Sequence, residues 1–200
     1  MNKLICLMGK SCTGKDTIYK RLVADKELNL NILVPYTTRP IRKNELSGIE
    51  YHFVSEEEYE KFALEGAILE DRAYNTAHGI WRYFTIRDEQ MISSDGNYIY
   101  IGTLEAYNKL KEKLGDDKVL PVYIEVDDSI RIDRAVRREH KQAEPKFVEM
   151  CRRFLADTED FSDENLEAAG IKDRFRNEDL DECLSEVKAY IVRNTIGHQG

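Results

Sequence analysis

The sequence has no run approaching the roughly 18 consecutive apolar residues that a membrane-spanning helix needs. Met1-Asn2-Lys3 leads into a short apolar segment and then glycine, not into a signal-cleavage pattern, so no membrane partner and a cytoplasmic location are expected. Cysteine is sparse: Cys6, Cys12, Cys151 and Cys183 lie too far apart for paired metal-ligand spacing and read as reduced thiols, with Cys6 in the core. An excess of positive charge is also missing. The net charge of −8 argues against nucleic acid as a partner, because such binding needs a basic face to neutralise phosphates. Any phosphate site must then be a local basic pocket in an acidic molecule. There is no internal repeat, low-complexity tract or linker, and 200 residues against about 150 per domain implies one domain. With 42% hydrophobic and 34% charged residues the chain has material for a core and a charged surface, which excludes a disordered chain.

What is present is an alternation of strand-like and helix-like segments. Residues 3–8 form a nearly continuous apolar run stopped by Gly9, the pattern of a strand buried on both faces. A glycine turn follows, and 17–26 carries Ile18, Leu22 and Val23 at helical spacing. A second strand is expected over 31–34, and 35–48, polar and without an apolar period, reads as a loop. Ser55 and Glu58 make a capping box, so a short helix starts there, with 67–70 returning as a strand. The β-rich runs 98–101 and 120–126 each precede a helical stretch, over 104–114 and from 130 to about 139. After a polar loop, helical spacing resumes over 147–155, which makes a movable flap of two arginine-rich helices. The last strand is expected at 171–176, the last helix at 180–191 and a frayed tail at 197–200. The fold class implied is α/β, a parallel sheet flanked by helices.

Gly9-Lys10-Ser11-Cys12-Thr13-Gly14-Lys15 fits the G-x-x-x-x-G-K phosphate loop, between an expected strand and an expected helix. The spacing has a geometric reason. Glycines let successive backbone N–H groups turn inward around a phosphate, the helix N-terminus adds a favourable dipole, and Lys15 reaches the β- and γ-phosphates of ATP. Asp16 stands where a Ser or Thr hydroxyl would meet Mg²⁺, with Thr17 one residue later. Either Asp16 or Thr17 approaches the metal, or Asp16 caps the helix. Cys12 is either a reactive thiol in an electropositive setting or a spectator.

Downstream lie Tyr36-Thr37-Thr38-Arg39-Pro40-Ile41-Arg42-Lys43-Asn44-Glu45 and Gly48-Ile49-Glu50-Tyr51-His52-Phe53-Val54-Ser55. With the phosphate loop, these residues resemble the guanylate kinase family, whose pattern T-T-R-x-x-R-x-x-E, then G-x-x-Y-x-F-V-S, is met position by position. The resemblance continues at Arg176-Asn177-Glu178-Asp179-Leu180 and so covers nearly the whole chain. It implies a P-loop NTPase-type core (1–34, 86–129 and 156–200), an acceptor lobe (35–85) and a helical lid (130–155). It also implies that Arg39, Arg42 and Tyr51 grip the acceptor's phosphate, that Glu70 accepts from guanine N1–H and the 2-amino group, and that Asn177 stands on the ATP side. Tyr83 and Thr85 match a further acceptor contact, provided that extra residues are accommodated over 74–81. Arg134, Arg138 and Arg153 correspond to the lid arginines, with Arg131, Arg137 and Arg152 as nearby competitors.

Three positions depart from the family. Pro35 replaces a base-contacting serine, and two acidic positions appear as Tyr100 and Gly102. The function implied is Mg²⁺-dependent transfer of the ATP γ-phosphoryl group to a nucleoside monophosphate, GMP first. The alternatives are a kinase for another nucleotide or a phosphorylated sugar, and a non-catalytic binding module. An acceptor phosphate with a second pKa near ~6 needs no general base, so catalysis reduces to positioning and charge compensation.

Overall fold

The structure is a computed structural model that describes residues 3–42, 45–76, 79–87, 91 and 96–196. Strand β1 (Leu4–Met8) is buried at every residue, as its unbroken apolar run requires of a strand covered on both faces. Successive side chains point to opposite faces. Leu4, Cys6 and Met8 join one core cluster with Tyr100, Leu110 and Tyr123, while Ile5 and Leu7 join another with Ile18, Leu22, Val122 and Val187. Burying each large aliphatic side chain stabilises the fold by about 1.5–3 kcal/mol, so the two clusters fix β1 in the centre.

That centre belongs to a five-stranded sheet. Strand β2 (Asn31–Ile32), β7 (Tyr98–Ile101), β8 (Val119–Glu125) and β9 (Arg174–Arg176) complete it in the order β2-β7-β1-β8-β9, every neighbouring pair parallel. Helices α1 (Lys15–Ala24), α3 (Leu104–Leu114) and α7 (Leu180–Ile196) follow β1, β7 and β9 respectively. The helix expected at 104–114 has those bounds because Thr103 caps its start, accepting from the Ala106 amide, and Gly115 follows its end.

Between β2 and β7 a second, mixed sheet is built from β3 (Tyr36–Thr37), β4 (His52–Phe53), β5 (Ile68–Thr76) and β6 (Gly79–Ile86), in the order β4-β3-β6-β5. Helix α2 (Glu56–Leu64) starts at the expected capping box: the Ser55 hydroxyl accepts from the Glu58 amide and the Glu58 carboxylate accepts from the Ser55 amide. Two expectations change here. The stretch 35–48 is not all loop, since Tyr36 and Thr37 pair with both β4 and β6. The strand expected at 67–70 runs on to Thr76 as one arm of a long hairpin that pairs Tyr74 with Trp81 and Asp71 with Phe84. Ala73, Tyr74 and Asn75 are exposed, so this outer arm has no buried face and no apolar period to betray it.

The segment expected as a flap contains α4 (Asp128–His140) and α5 (Phe147–Asp160), and a short helix α6 (Asp163–Ala168), not expected from the sequence, follows. The last strand is shorter than expected because Ile171 closes α6 instead, donating its amide to Leu166 after Gly170 at φ 77°. The tail expected at 197–200 lies outside the described residues. Among the described residues no helix is long and apolar enough to cross a membrane. All four cysteines are free thiols, and Cys6 is fully buried.

Candidate active site

The chain leaves β1 at Met8 and turns through Gly9, where a side chain would strike the Ile124 carbonyl oxygen at 2.5 Å. Cys12 and Gly14 both adopt left-handed backbone, φ 67° and 85°. The loop's carbonyls are turned outward and each is held. That of Lys10 accepts from the Thr13 hydroxyl (2.9 Å), Ser11 from Arg131 Nε (3.0 Å), Cys12 from Arg134 Nη1 (3.4 Å) and Thr13 from Asn177 Nδ2 (2.7 Å). Among the described residues no acceptor takes the amides of Cys12, Gly14, Lys15 or Asp16. Outward carbonyls and free inward amides at the start of a helix make an anion-binding nest.

Lys15 opens α1 and lines a cavity of about 400 Å³ together with Asp16, Thr17, Arg134, Arg138 and Asn177. The helix is capped by Gly14 with no side-chain hydrogen bond, so Asp16 is not the cap. It is an exposed carboxylate in the first turn, beside the exposed hydroxyl of Thr17. Arg134 and Arg138 stand one turn apart on α4, as their spacing implies. Arg153, on α5, does not line this cavity but lines a neighbouring one with Arg138: its Nε bonds Glu149 at 2.8 Å, and Arg152 grips the same carboxylate. The two guanidiniums, Arg152 first, hold the Glu149 carboxyl down to about 2.

Two residues of α4 and α5 act on the loop in a way the sequence does not reveal. Arg131 is fully buried under the Phe154 ring, and its Nη2 meets Asp157 at 3.3 Å while its Nη1 pairs with Asp128. Asp157 in turn accepts from the Ser11 amide at 2.6 Å. The amide and carbonyl of Ser11 are therefore both held by one ion pair whose cation is fully buried. Arg131 had been a competitor for a lid arginine, and its burial gives it this other task. Its only sequence signal is Asp128 at i−3.

The second lobe gathers its own polar cluster. Arg39 is 3% exposed and lies near the rings of Tyr51 and Phe53. Its Nη2 bonds Glu45 at 2.9 Å and its Nη1 the Pro40 carbonyl at 2.8 Å, while Nε has no partner among the described residues. The same Glu45 accepts from the Arg42 amide at 2.9 Å, leaving the Arg42 side chain exposed. Arg39 beside it holds the Glu45 carboxyl below the usual range, and burial raises the Tyr51 hydroxyl. Tyr83 packs edge-on against Tyr51 at 5.5 Å. Deeper in, Glu70 is 2% exposed, which rules out a surface carboxylate. It accepts from the Thr85 hydroxyl at 2.8 Å and from Arg72 Nε at 3.1 Å. Of the extra residues expected over 74–81, 74–76 and 79–81 pair as the outer ends of β5 and β6, and Thr85 stands opposite Glu70.

The family model described as guanylate kinase matches residues 1–194. The chain belongs to the guanylate kinase family. By family it is a kinase, a phosphotransferase. It is 28% identical over 196 residues to the guanylate kinase of Porphyromonas gingivalis (strain ATCC BAA-308 / W83), covering 96% of this chain and 98% of that one. It is 41% identical over 68 residues to the guanylate kinase of Schizosaccharomyces pombe (strain 972 / ATCC 24843), 34% of each chain. The crystal structure of guanylate kinase from Anaplasma phagocytophilum shares the fold, with a TM-score of 0.61 and 20% identity over 98% of this chain and 88% of that one. Against this family background the three departures stand out in space. Pro35 offers no side-chain donor, and Tyr100 and Gly102 lie beside each other at the end of β7, next to Thr103, which Arg72 reaches at 3.3 Å.

Proposed function

We propose that the protein transfers the γ-phosphoryl group of ATP to GMP, giving ADP and GDP, in the cytoplasm with Mg²⁺ accompanying the nucleotide. The observation that carries this reading is the Nε of Arg39. A buried guanidinium N–H without an acceptor costs free energy until an anion meets it, and hydrogen bonds to charged groups contribute about 1.5–3 kcal/mol. A phosphate monoester beside Arg39, Arg42, Tyr51 and Tyr83 supplies that anion, while the free amides of the glycine loop receive the phosphates of ATP. Glu70 and Thr85 then meet the base, with the carboxylate accepting from N1–H and the 2-amino group of guanine.

The chain's residues do three things in the reaction. The loop amides and Lys15 fix the β- and γ-phosphates, and Asn177, by holding the loop, borders the ATP side. Arg39, Arg42 and Tyr51 orient the acceptor phosphate in line with them. Arg134 and Arg138 offset charge spreading over the transferred group, and Arg153 joins them when the lid closes and Glu149 gives way. Asp16 and Thr17 supply oxygen donors that fit Mg²⁺, an ion that keeps several waters and takes only one or two protein ligands beside nucleotide phosphates. When bound, it neutralises phosphate charge.

A coupled ADP-release assay across a panel of monophosphates tests the reading. Turnover is expected with GMP. Because Pro35 lacks a hydroxyl and an N–H, and Tyr100 and Gly102 stand at the family's two acidic positions, a phosphorylated sugar is the second reading, and turnover of such a sugar without GMP would establish it instead.

A further inference from the structure

The second lobe holds a largely buried cation that none of the motifs uses. Arg72 follows Glu70 by two residues on β5, so both side chains leave the same face of the strand. Its side chain is 12% exposed and that of Glu70 fully buried. Arg72 Nε donates to one carboxylate oxygen of Glu70 (3.1 Å), and the Thr85 hydroxyl donates to the other (2.8 Å). Arg72 Nη1 donates to the Thr103 hydroxyl at 3.3 Å, which anchors the guanidinium to the end of β7. Among the described residues its Nη2 has no acceptor.

This arrangement has a chemical meaning. A carboxylate oxygen carries two lone pairs, so each oxygen of Glu70 keeps one for a ligand. Beside those acceptors stand the unused N–H groups of a guanidinium whose plane is fixed at two points. Acceptor next to donor is the complement of an edge that offers donor next to acceptor. The N1–H and O6 of a 6-oxopurine form such an edge, and adenine reverses both positions. Guanidinium is also well suited to a base oxygen, because its donors are rigid and always charged. Pro35 brings neither hydroxyl nor N–H to this end, and Gly102 brings no side chain, so the donor must come from elsewhere.

Resting on the reading of GMP as acceptor, we infer that Arg72 is a specificity-determining residue that donates to O6 of the base while Glu70 accepts from N1–H. Arg72 thus supplies the hydrogen bond that the proline cannot. It also fixes the orientation of the Glu70 carboxylate, which it meets at 3.1 Å.

The test pairs a residue with a ligand atom. Specificity constants are measured for GMP, 6-thioguanosine monophosphate and AMP with the wild-type chain, Arg72→Met and Arg72→Lys, alongside thermal unfolding of each. The sulfur at position 6 is a poor acceptor, so the wild type should prefer GMP over the thio compound by roughly 10- to 100-fold, the worth of one hydrogen bond to a charged donor. In Arg72→Met that preference should collapse to within about threefold and discrimination against AMP should fall, with Arg72→Lys between the two. A purely structural role would lower all three substrates by one common factor and leave the ratios alone. Unchanged ratios in an active variant overturn the assignment of Arg72 and leave GMP kinase activity standing. If the methionine variant does not fold, the lysine variant and the wild-type preference for oxygen over sulfur decide the matter, and equal use of both by the wild type overturns it. A wild type that phosphorylates no purine monophosphate overturns the GMP reading and this inference together.

Discussion

The hydroxyl of Tyr100 fills the space that a side chain at Gly102 would need. A Cβ at residue 102 would lie 2.6 Å from that hydroxyl and 2.9 Å from Cys6 Sγ. The two departures from the family's acidic positions are therefore coupled: the Tyr100 side chain occupies the space a side chain at residue 102 would need. Gly102→Ala should destabilise the fold by about 1–3 kcal/mol, the cost of overpacking a filled core. Combined with Tyr100→Leu, which removes the obstructing ring, the two changes should cost less than their sum in urea unfolding. Simple additivity would mean that the contact carries no strain.

Arg131 and Asp157 predict a second effect on stability. Arg131→Met leaves Asp157 without its buried cation and frees the Ser11 carbonyl, and breaking such a pair costs about 3–5 kcal/mol. The loop should lose its shape as well, so KM for ATP should rise in parallel with the fall in unfolding midpoint. A variant with normal stability and normal KM would show that the clamp is dispensable.

Lys15→Met tests the chemistry apart from the fold. Lys15 lines the cavity and makes no ion pair among the described residues, so the circular dichroism spectrum should not change. Turnover should drop by about 10²–10³-fold or more, the usual loss when a group stabilising transition-state charge is removed. Near-normal turnover would reject the mechanism.

Thiol chemistry separates core from surface. Burial raises the Cys6 thiol to about 12 and Cys183 to about 11, so both should resist alkylation at pH 8 in the folded chain and react only on unfolding. Cys151 is exposed and should label at once, and Cys12 should be shielded by ATP because it borders the same cavity. The raised Cys6 value has a sign for stability. The folded state holds that proton more tightly, so the contribution is complete below the ordinary value of 9.0 and is lost as pH rises towards about 12. Unfolding midpoints measured from pH 8 upward should therefore decline, and less steeply in Cys6→Ala.

Much of this site was legible before the structure, because its signals are local. The glycine loop, the Ser55–Glu58 capping box and the helix from Leu104 to Leu114 each rest on residues a few positions apart, whose geometry follows from backbone rules. The relations that were not legible are long-range or run against the average. Ser11 and Asp157 are 146 residues apart, and nothing in either neighbourhood announces the other. Glu70 is a buried carboxylate among residues that usually stay exposed, and only the return of Thr85 and Arg72 explains how it can be there. The outer hairpin was missed because a strand with no buried face has no hydrophobic period.

The central claim is that two anionic nucleotides are held facing one another, one on the glycine loop and one on Arg39. A calorimetric titration with an adenosine–guanosine pentaphosphate, which joins both substrates in one molecule, tests it most directly. The account predicts one molecule bound per chain, at least about 100-fold more tightly than ATP or GMP alone, as linking two sites of compatible geometry allows. Binding no tighter than ATP would contradict it, because the two sites would then not face each other.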